Sequence, residues 1–357
     1  DARTIEGLTR WKIGEFVSAE ASLQEAKNIY QQHRNRVGVA EVHVNLALVA
    51  ASSGDFQSAA ELLNKALPDL KEEKSPSYAL ALWSAGKIQL RLNRLEEAYA
   101  FFFETLREGW FTQRELVRAR ALAGLTEVER RRGIYNASLV SLRSLAAQRS
   151  DIQESLGWFY FDVVSYDLAA DAFYSAYDIA RSQGDSTSQI SSLIALVRTE
   201  TARNELAMAR SYLAELEGVV ARGRFTADIW RFWLAKALFH EREENADAAL
   251  NALREASRQV ELVRERLQVD ELRATYAEDK QELYEALVRV SVRLGRHGEA
   301  FQAIERAKAR AFVDLLAQRR LRAPARIASS TETKYWELER TQRVLEAELG
   351  FQTPGVA

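Results

Sequence analysis

The chain has 357 residues, 47% of them hydrophobic and 28% charged, which excludes a disordered chain, and no apolar stretch approaches the roughly 20 residues that span a bilayer. Its 49 basic and 51 acidic residues nearly balance, at a net charge of −2, so no electrostatic feature points to nucleic acid as a partner. The absence of cysteine excludes a thiolate zinc site and a cysteine nucleophile within these residues, and it fits the cytosol and an extracytoplasmic space alike. No signal peptide is visible. We expect a cytoplasmic protein, with an extracytoplasmic location as the alternative.

A repeated pattern runs along the chain from its first residues. Each copy has a turn residue, an aromatic or aliphatic residue two positions later, a small residue three after that and a large apolar residue after four more, as in Gly54, Phe56, Ala59 and Leu63. The small residues of successive copies lie 40, 39, 40, 31, 40, 40 and 51 positions apart. In chain order they are Ala19, Ala59, Ala98, Ser138, Ala169, Ala209, Ala249 and Ala300.

The residue types in this pattern indicate helical hairpins. Gly or Asn at the turn tolerates the left-handed backbone that ends a helix, and a small residue lets two antiparallel helices approach closely. The hairpins resemble tetratricopeptide (TPR) repeats over about residues 1–317, in a longer variety typical of bacterial regulatory proteins, since the usual period is about 34. We therefore predict an all-α, right-handed superhelical solenoid of about eight TPR-like hairpins.

The interval before Ala300 is longer than the others and adds roughly residues 259–279. Val260, Val263 and Leu267 recur there at helical spacing, and long structureless loops are uncommon in compact arrays. The extra residues are therefore predicted to lengthen helices.

The last two hairpins carry a second resemblance, over about residues 260–317. In order, the chain reads DELRATYAEDK at 270–280, YEAL at 284–287, LGR at 294–296, GEAF at 298–301 and ERAKARAFVDLL at 305–316. This series is similar to the segment just ahead of the CHAT domain in bacterial TPR–CHAT proteins. CHAT domains are caspase-like cysteine protease modules with a His–Cys pair, so the resemblance implies that the array positions or restrains such a domain in the intact parent.

Residues 318–357 break the repeat. They begin with a basic linker and continue with a helix predicted at 331–348, which the resemblance assigns as the lead toward a C-terminal CHAT-like domain that these residues do not include.

The inner surface of a TPR superhelix comes from the first helix of each hairpin. By register, the candidate partner-binding residues there are Asn45, Lys87, Arg91, Glu127, Arg130, Arg131, Trp158, Phe161 and Arg198. The basic members would suit an acidic ligand or a C-terminal carboxylate. The alternatives are that these charges only solvate the surface, or that binding uses the outer face or the helix at 331–348. The aromatic runs near residues 101–111, 158–161 and 230–233 fit either docking or packing between hairpins.

No motif for catalysis, a cofactor or a metal is evident, because the four histidines lack ligand spacing and no phosphate-binding loop is present. We expect this chain not to be an enzyme. Two functions remain open: a binding module for a protein or peptide that positions or regulates a C-terminal CHAT protease, and a stand-alone TPR sensor that binds a signalling peptide or protein.

Overall fold

The computed structural model describes residues 2–112, 114–134, 149–222, 228–267, 272, 273, 276 and 280–306. These residues belong to one compact unit, Asp1–Ala307. The predicted basic linker, the predicted helix at 331–348 and the copy of the repeat around Ser138 lie outside the described residues.

The described ranges contain helices and no strand. The helices are α1 (Ala2–Lys12), α2 (Phe16–Gln32), α3 (Arg36–Ser52), α4 (Phe56–Glu72), α5 (Tyr78–Arg91), α6 (Leu95–Phe111), α7 (Glu115–Arg131), α8 (Ser150–Asp162), α9 (Tyr166–Ser182), α10 (Ser186–Arg203), α11 (Leu206–Arg222), α12 (Ile229–Arg242), α13 (Ala246–Arg266) and α14 (Gln281–Arg293), followed by helical residues 297–306.

The helices form antiparallel hairpins in chain order: α1 with α2, α3 with α4, α5 with α6, α8 with α9, α10 with α11, α12 with α13, and α14 with 297–306 as hairpin 8. Helix α7 is the first helix of the predicted hairpin 4, and residues 135–148, where the second helix is predicted, lie outside the described residues. The all-α hairpin solenoid predicted from the repeat spacing is confirmed.

A left-handed residue stands at the turn that follows the first helix of each of the eight predicted hairpins. Four of these residues are glycines and two are asparagines, which adopt positive φ with little strain. The fifth and seventh turns use Val164 at φ 61° and Glu244 at φ 61°. The other six are Gly14, Gly54, Asn93, Gly133, Asn204 and Gly295.

The small residues of the repeat are buried where the helices approach most closely. Ala19, Ala59, Ala98, Ala169, Ala209 and Ala249 are fully inaccessible to solvent, and Ala300 is nearly so. The large residue four positions later packs against the first helix of its own hairpin. An added Cβ on Gly86 would lie 2.6 Å from the ring of Phe102, and one on Gly157 would lie 2.4 Å from the ring of Phe173.

The extra residues before hairpin 8 have a mixed outcome. Helix α13 runs to Arg266, so Val260 and Val263 lie on a lengthened helix and are buried, as predicted. The helix ends at Leu267, whose backbone is extended and whose side chain is 1% exposed. Most of residues 268–279 lie outside the described ranges, so the prediction stands untested there.

Hairpins far apart in the chain meet across the superhelix. The rings of Phe56 and Tyr276 lie 5.8 Å apart, the Arg266 guanidinium donates to the carbonyl oxygen of Ser53 at 2.9 Å, and Arg91 pairs with Asp228. One continuous apolar cluster joins buried residues of α3, α4 and α5 with those of α12, α13 and α14. We call these contacts between hairpins 2 and 3 and hairpins 7 and 8 the closing seam. The ion pairs Arg91–Asp228 and Arg198–Glu282 join first helices of hairpins that are not neighbours, so these first helices face a common interior.

Candidate partner-binding surface

Apart from Glu127, the candidate partner-binding surface comprises eight residues, which all lie on first helices and are all half-buried. Asn45 lies on α3, Lys87 and Arg91 on α5, Arg130 and Arg131 on α7, Trp158 and Phe161 on α8, and Arg198 on α10. Each of these helices begins after a turn and presents its residues in the same register as its neighbours, which places the side chains of successive hairpins side by side.

Arg130 and Arg131 form an ion network inside the protein. Glu127 accepts from Arg130 Nε at 2.7 Å and from Arg131 Nε at 3.0 Å, and Arg130 also pairs with Asp162 of the next hairpin at 2.8 Å. Burial would raise the pKa of Glu127, but the two arginines outweigh it and hold that pKa well below its ordinary value. The network therefore fixes α7 against α8 and also neutralises much of the positive charge of these arginines.

Trp158 is the centre of an aromatic and cationic cluster. The guanidinium groups of Arg130 and Arg198 lie 5.7 Å and 5.2 Å from its ring centroid, and the ring of Phe161 is 5.6 Å away in an edge-on arrangement. Such distances allow cation–π attraction. Arg198 in turn pairs with Glu282 of α14 at 2.7 Å, across two hairpins. This cluster offers apolar ring edges and arginines together on the interior.

Lys87 and Arg91 lie one turn apart on α5. Arg91 pairs with Asp228, which stands immediately before α12. Burial would raise the pKa of Asp228, but Arg91, Arg231, Lys280 and Lys87 together hold it below its ordinary value. Burial, reinforced by the charge of Arg91, lowers the pKa of Lys87.

Asn45 is separate from the other seven candidates. It lines a cavity of about 110 Å³ whose remaining walls come from α1, α2, α3 and α5 and include none of those seven residues. The structure therefore brings together the candidates from Lys87 to Arg198 through shared carboxylates and rings, and it leaves Asn45 outside that group.

The acidic partners of the surface were missed by sequence reasoning, apart from Glu127. Asp162, Asp228 and Glu282 complete the pairs, yet they lie 32, 137 and 84 positions from the arginines they contact. The repeat pattern encodes contacts between neighbouring hairpins, so Asp162 could be found from register. No sequence signal locates Asp228 or Glu282.

The aromatic runs are divided between packing and exposure. Phe102, Phe103, Trp230 and Phe232 are buried, as expected for packing between hairpins. Phe111, by contrast, is 77% exposed. The rings of residues 158–161 are half-buried, which leaves part of each accessible.

In the part of the chain that the structure describes, no three His, Cys, Asp or Glu side chains are grouped as a metal site would need. Across the same residues, no helix combines the length and hydropathy that a membrane span requires.

No protein-family model and no protein of curated function matches the sequence. Among solved structures, the chain is similar to the anaphase-promoting complex hetero-tetramer Cut9–Hcn1, with 15% identity over 85% of this chain and 51% of that chain and a TM-score of 0.56. The chain thus spans about half the length of that relative.

Two further likenesses have lower scores. A Rap protein complexed with Competence and Sporulation Factor shows 12% identity, coverage of 85% of this chain and 75% of that chain, and a TM-score of 0.43. A signal transduction ATPase with a tetratricopeptide repeat sensor from Pyrococcus horikoshii shows 15% identity, coverage of 89% and 49%, and a TM-score of 0.46. The likeness to Cut9–Hcn1, at 15% identity and a TM-score of 0.56, shows the fold alone, which is a helical solenoid of TPR-like hairpins.

Proposed function

We propose that this chain is a scaffold that binds a protein or peptide on the interior surface formed by first helices α5, α7, α8 and α10. The observation that carries the proposal is the cluster around Trp158, where half-buried aromatic rings and arginines from three hairpins converge on one interior. Helical solenoids use such concave surfaces for binding, and aromatic and arginine side chains are the residues that most often anchor interfaces.

The chemistry of the surface favours a partner with acidic and apolar residues. Arginine binds carboxylates through two parallel hydrogen bonds, and the half-buried rings of Trp158 and Phe161 provide apolar anchoring beside it. The described arginines of this surface already pair with carboxylates of the protein. An acidic ligand must therefore displace those carboxylates in order to bind the arginines. Such binding is expected to weaken as ionic strength rises.

A photocrosslinking experiment tests the location of the binding surface. A photoreactive phenylalanine analogue replaces Phe161 on the interior in one variant and Tyr174, a 49% exposed residue of α9, in the matched control. We expect the Phe161 position to crosslink a discrete polypeptide in extracts of the source organism, and unlabelled full chain should compete for it. Crosslinks from the Tyr174 position alone would place binding on the second helices and remove the interior as the site.

We further propose that the scaffold positions or regulates a C-terminal CHAT protease in an intact parent. The support is the order of short motifs from residue 270 to residue 316. The coding sequence after Ala357 tests this: a CHAT domain with its His and Cys supports the proposal, and a stop codon leaves the stand-alone sensor as the function. Since the chain has no cysteine, it is not expected to label with cysteine-directed protease inhibitors.

A further inference from the structure

Lys87 is a cation without an ionic partner among the described residues. Its ammonium lies 5.8 Å from the ring centroid of Trp83, and it forms no ion pair or hydrogen bond with a described group. Burial disfavours its charged form, and the nearby Arg91 disfavours it further. A half-buried ammonium in this position is costly unless an anion joins it.

The carboxylates that act on Lys87 from a distance are already occupied. Glu127 is held by Arg130 and Arg131, and Asp151 pairs with Arg149 at 3.0 Å. Glu154 accepts from the hydroxyl of Ser191. None of these groups is placed to neutralise Lys87 directly.

Asp228 is the one described carboxylate that pairs directly with Arg91. The same carboxylate lies 3.6 Å from Nε of Arg231, and it experiences the charges of Lys87 and Lys280 as well. Lys280 is 2% exposed and donates to the carbonyl oxygen of Tyr276 at 2.7 Å. Asp228 is thus shared among several cations, and its direct pairing with Arg91 leaves Lys87 without a direct ion pair to a described residue in a partly desolvated interior.

We propose that Lys87 and Arg91 form a binding site for an acidic side chain of the partner polypeptide, and that Asp228 is an internal competitor for Arg91 at that site. The proposal rests on the proposed function of the interior surface. An aspartate side chain already occupies half of the site, which shows that a side-chain carboxylate fits the space beside Arg91. An incoming carboxylate would displace Asp228 from Arg91 and at the same time provide the missing counter-ion for Lys87.

The test uses the full 357-residue chain. The probe is a fluorescein-labelled peptide of alternating Glu and Leu with an amidated C-terminus, and the matched peptide carries Gln in place of Glu. Fluorescence anisotropy at low and at physiological ionic strength measures both dissociation constants. The amidated terminus ensures that binding reports side-chain carboxylates, and a free-acid Gln peptide that binds as well as the Glu peptide would overturn the side-chain assignment.

Two variants move the affinity in opposite directions. Lys87→Gln should raise the dissociation constant of the Glu peptide about fivefold or more, because a charge that contacts the ligand is lost. Asp228→Asn should lower the dissociation constant of the Glu peptide about threefold or more, because the carboxylate that competes for Arg91 is lost. Lys87→Gln breaks no ion pair of a described residue, so this variant is expected to keep its fold. If Asp228→Asn unfolds, the affinity of Lys87→Gln is a sufficient test.

The control is Glu241→Gln on α12, which removes a carboxylate that also has two arginine partners, Arg289 at 2.8 Å and Arg293 at 3.3 Å. It should leave peptide affinity unchanged. Equal binding of the Glu and Gln peptides, or an unchanged dissociation constant in folded Lys87→Gln, overturns this inference. If the photocrosslink at Phe161 persists in that case, the proposed function stands without this site; if both fail, the interior is not the binding surface.

Discussion

At the scale of single residues, the turn inside each hairpin decides where the chain reverses. Six of the eight turns carry Gly or Asn, and sequence reasoning located them because few other residues adopt positive φ without strain. The turns at Val164 and Glu244 could not be recognised from residue type. Their positions follow only from the register of the repeats on either side, which forces these residues into a backbone conformation they disfavour.

We predict that Val164→Asn raises the free energy of unfolding by about 1 kcal/mol, because a β-branched side chain at φ 61° is strained and Asn is not. Asn93 and Asn204 already occupy the equivalent turns of hairpins 3 and 6. Chemical denaturation measures the change.

Val163→Asn is the matched control, since Val163 is also exposed and its φ of −86° is ordinary. It should not stabilise the protein. Equal effects of the two substitutions, or a loss of stability in Val164→Asn, would show that the turn stores no strain.

At the scale of helices, the two helices of a hairpin pack closely because a large side chain on one faces a small residue on the other. Phe102 of α6 lies between Gly86 of α5 and Gly124 of α7, with an added Cβ at 2.6 Å and 2.5 Å from its ring. The repeat pattern predicted the small residues of the described second helices correctly. It did not pair Gly86 with Phe102, because which first-helix position faces the large side chain depends on the crossing of the helices and not on residue type.

Gly86→Ala is predicted to lower the free energy of unfolding by about 1–3 kcal/mol, because the new methyl group overlaps the ring of Phe102. Adding Phe102→Leu to the same chain should recover part of the loss by making room. Thermal or urea unfolding of both variants provides the measurement.

Gly218→Ala in α11 is the control, because its Cβ would meet only the end of the Arg222 side chain, at 3.6 Å. The better helix former should there stabilise the protein by about 1 kcal/mol. If Gly86→Ala and Gly218→Ala change the free energy of unfolding in the same direction, the close contact between Gly86 and Phe102 does not determine stability.

At the scale of the whole described unit, the closing seam distinguishes this array from an open solenoid. The 39- and 40-residue spacing predicts neighbouring hairpins, and the structure confirms them. The contacts of hairpin 2 with Arg266 and Tyr276 cannot be found from a repeat pattern, because that pattern encodes only contacts between neighbouring hairpins. The 51-residue interval is the longer of two irregular intervals, and Leu267 and Tyr276, which it introduces, are buried within the apolar cluster that joins α3, α4 and α5 to α12, α13 and α14.

We predict that Tyr276→Ala destabilises the protein by about 3 kcal/mol and raises amide hydrogen exchange in two places, the start of α4 and the region of α12 to α14. The reason is that Tyr276 is 2% exposed and packs on Phe56, which lies 220 positions away. Exchange measured by mass spectrometry on peptic fragments reports both regions at once.

Tyr174→Ala, at a half-exposed ring of α9, should change exchange only near its own hairpin. If Tyr276→Ala also acts only locally, the ring contact between the distant hairpins does not couple them.

The closing seam has a consequence for how such a chain can change length during evolution. An open array gains or loses a hairpin by duplication or deletion, and the units that remain keep all their other contacts. Here an insertion or deletion of about 40 residues between Arg91 and Asp228 would separate these two side chains and also the rings of Phe56 and Tyr276. The contacts of the closing seam therefore form only with the present number of hairpins between its two sides. We expect homologues that keep both sides of the seam to vary in side chains and in loops but not in repeat number.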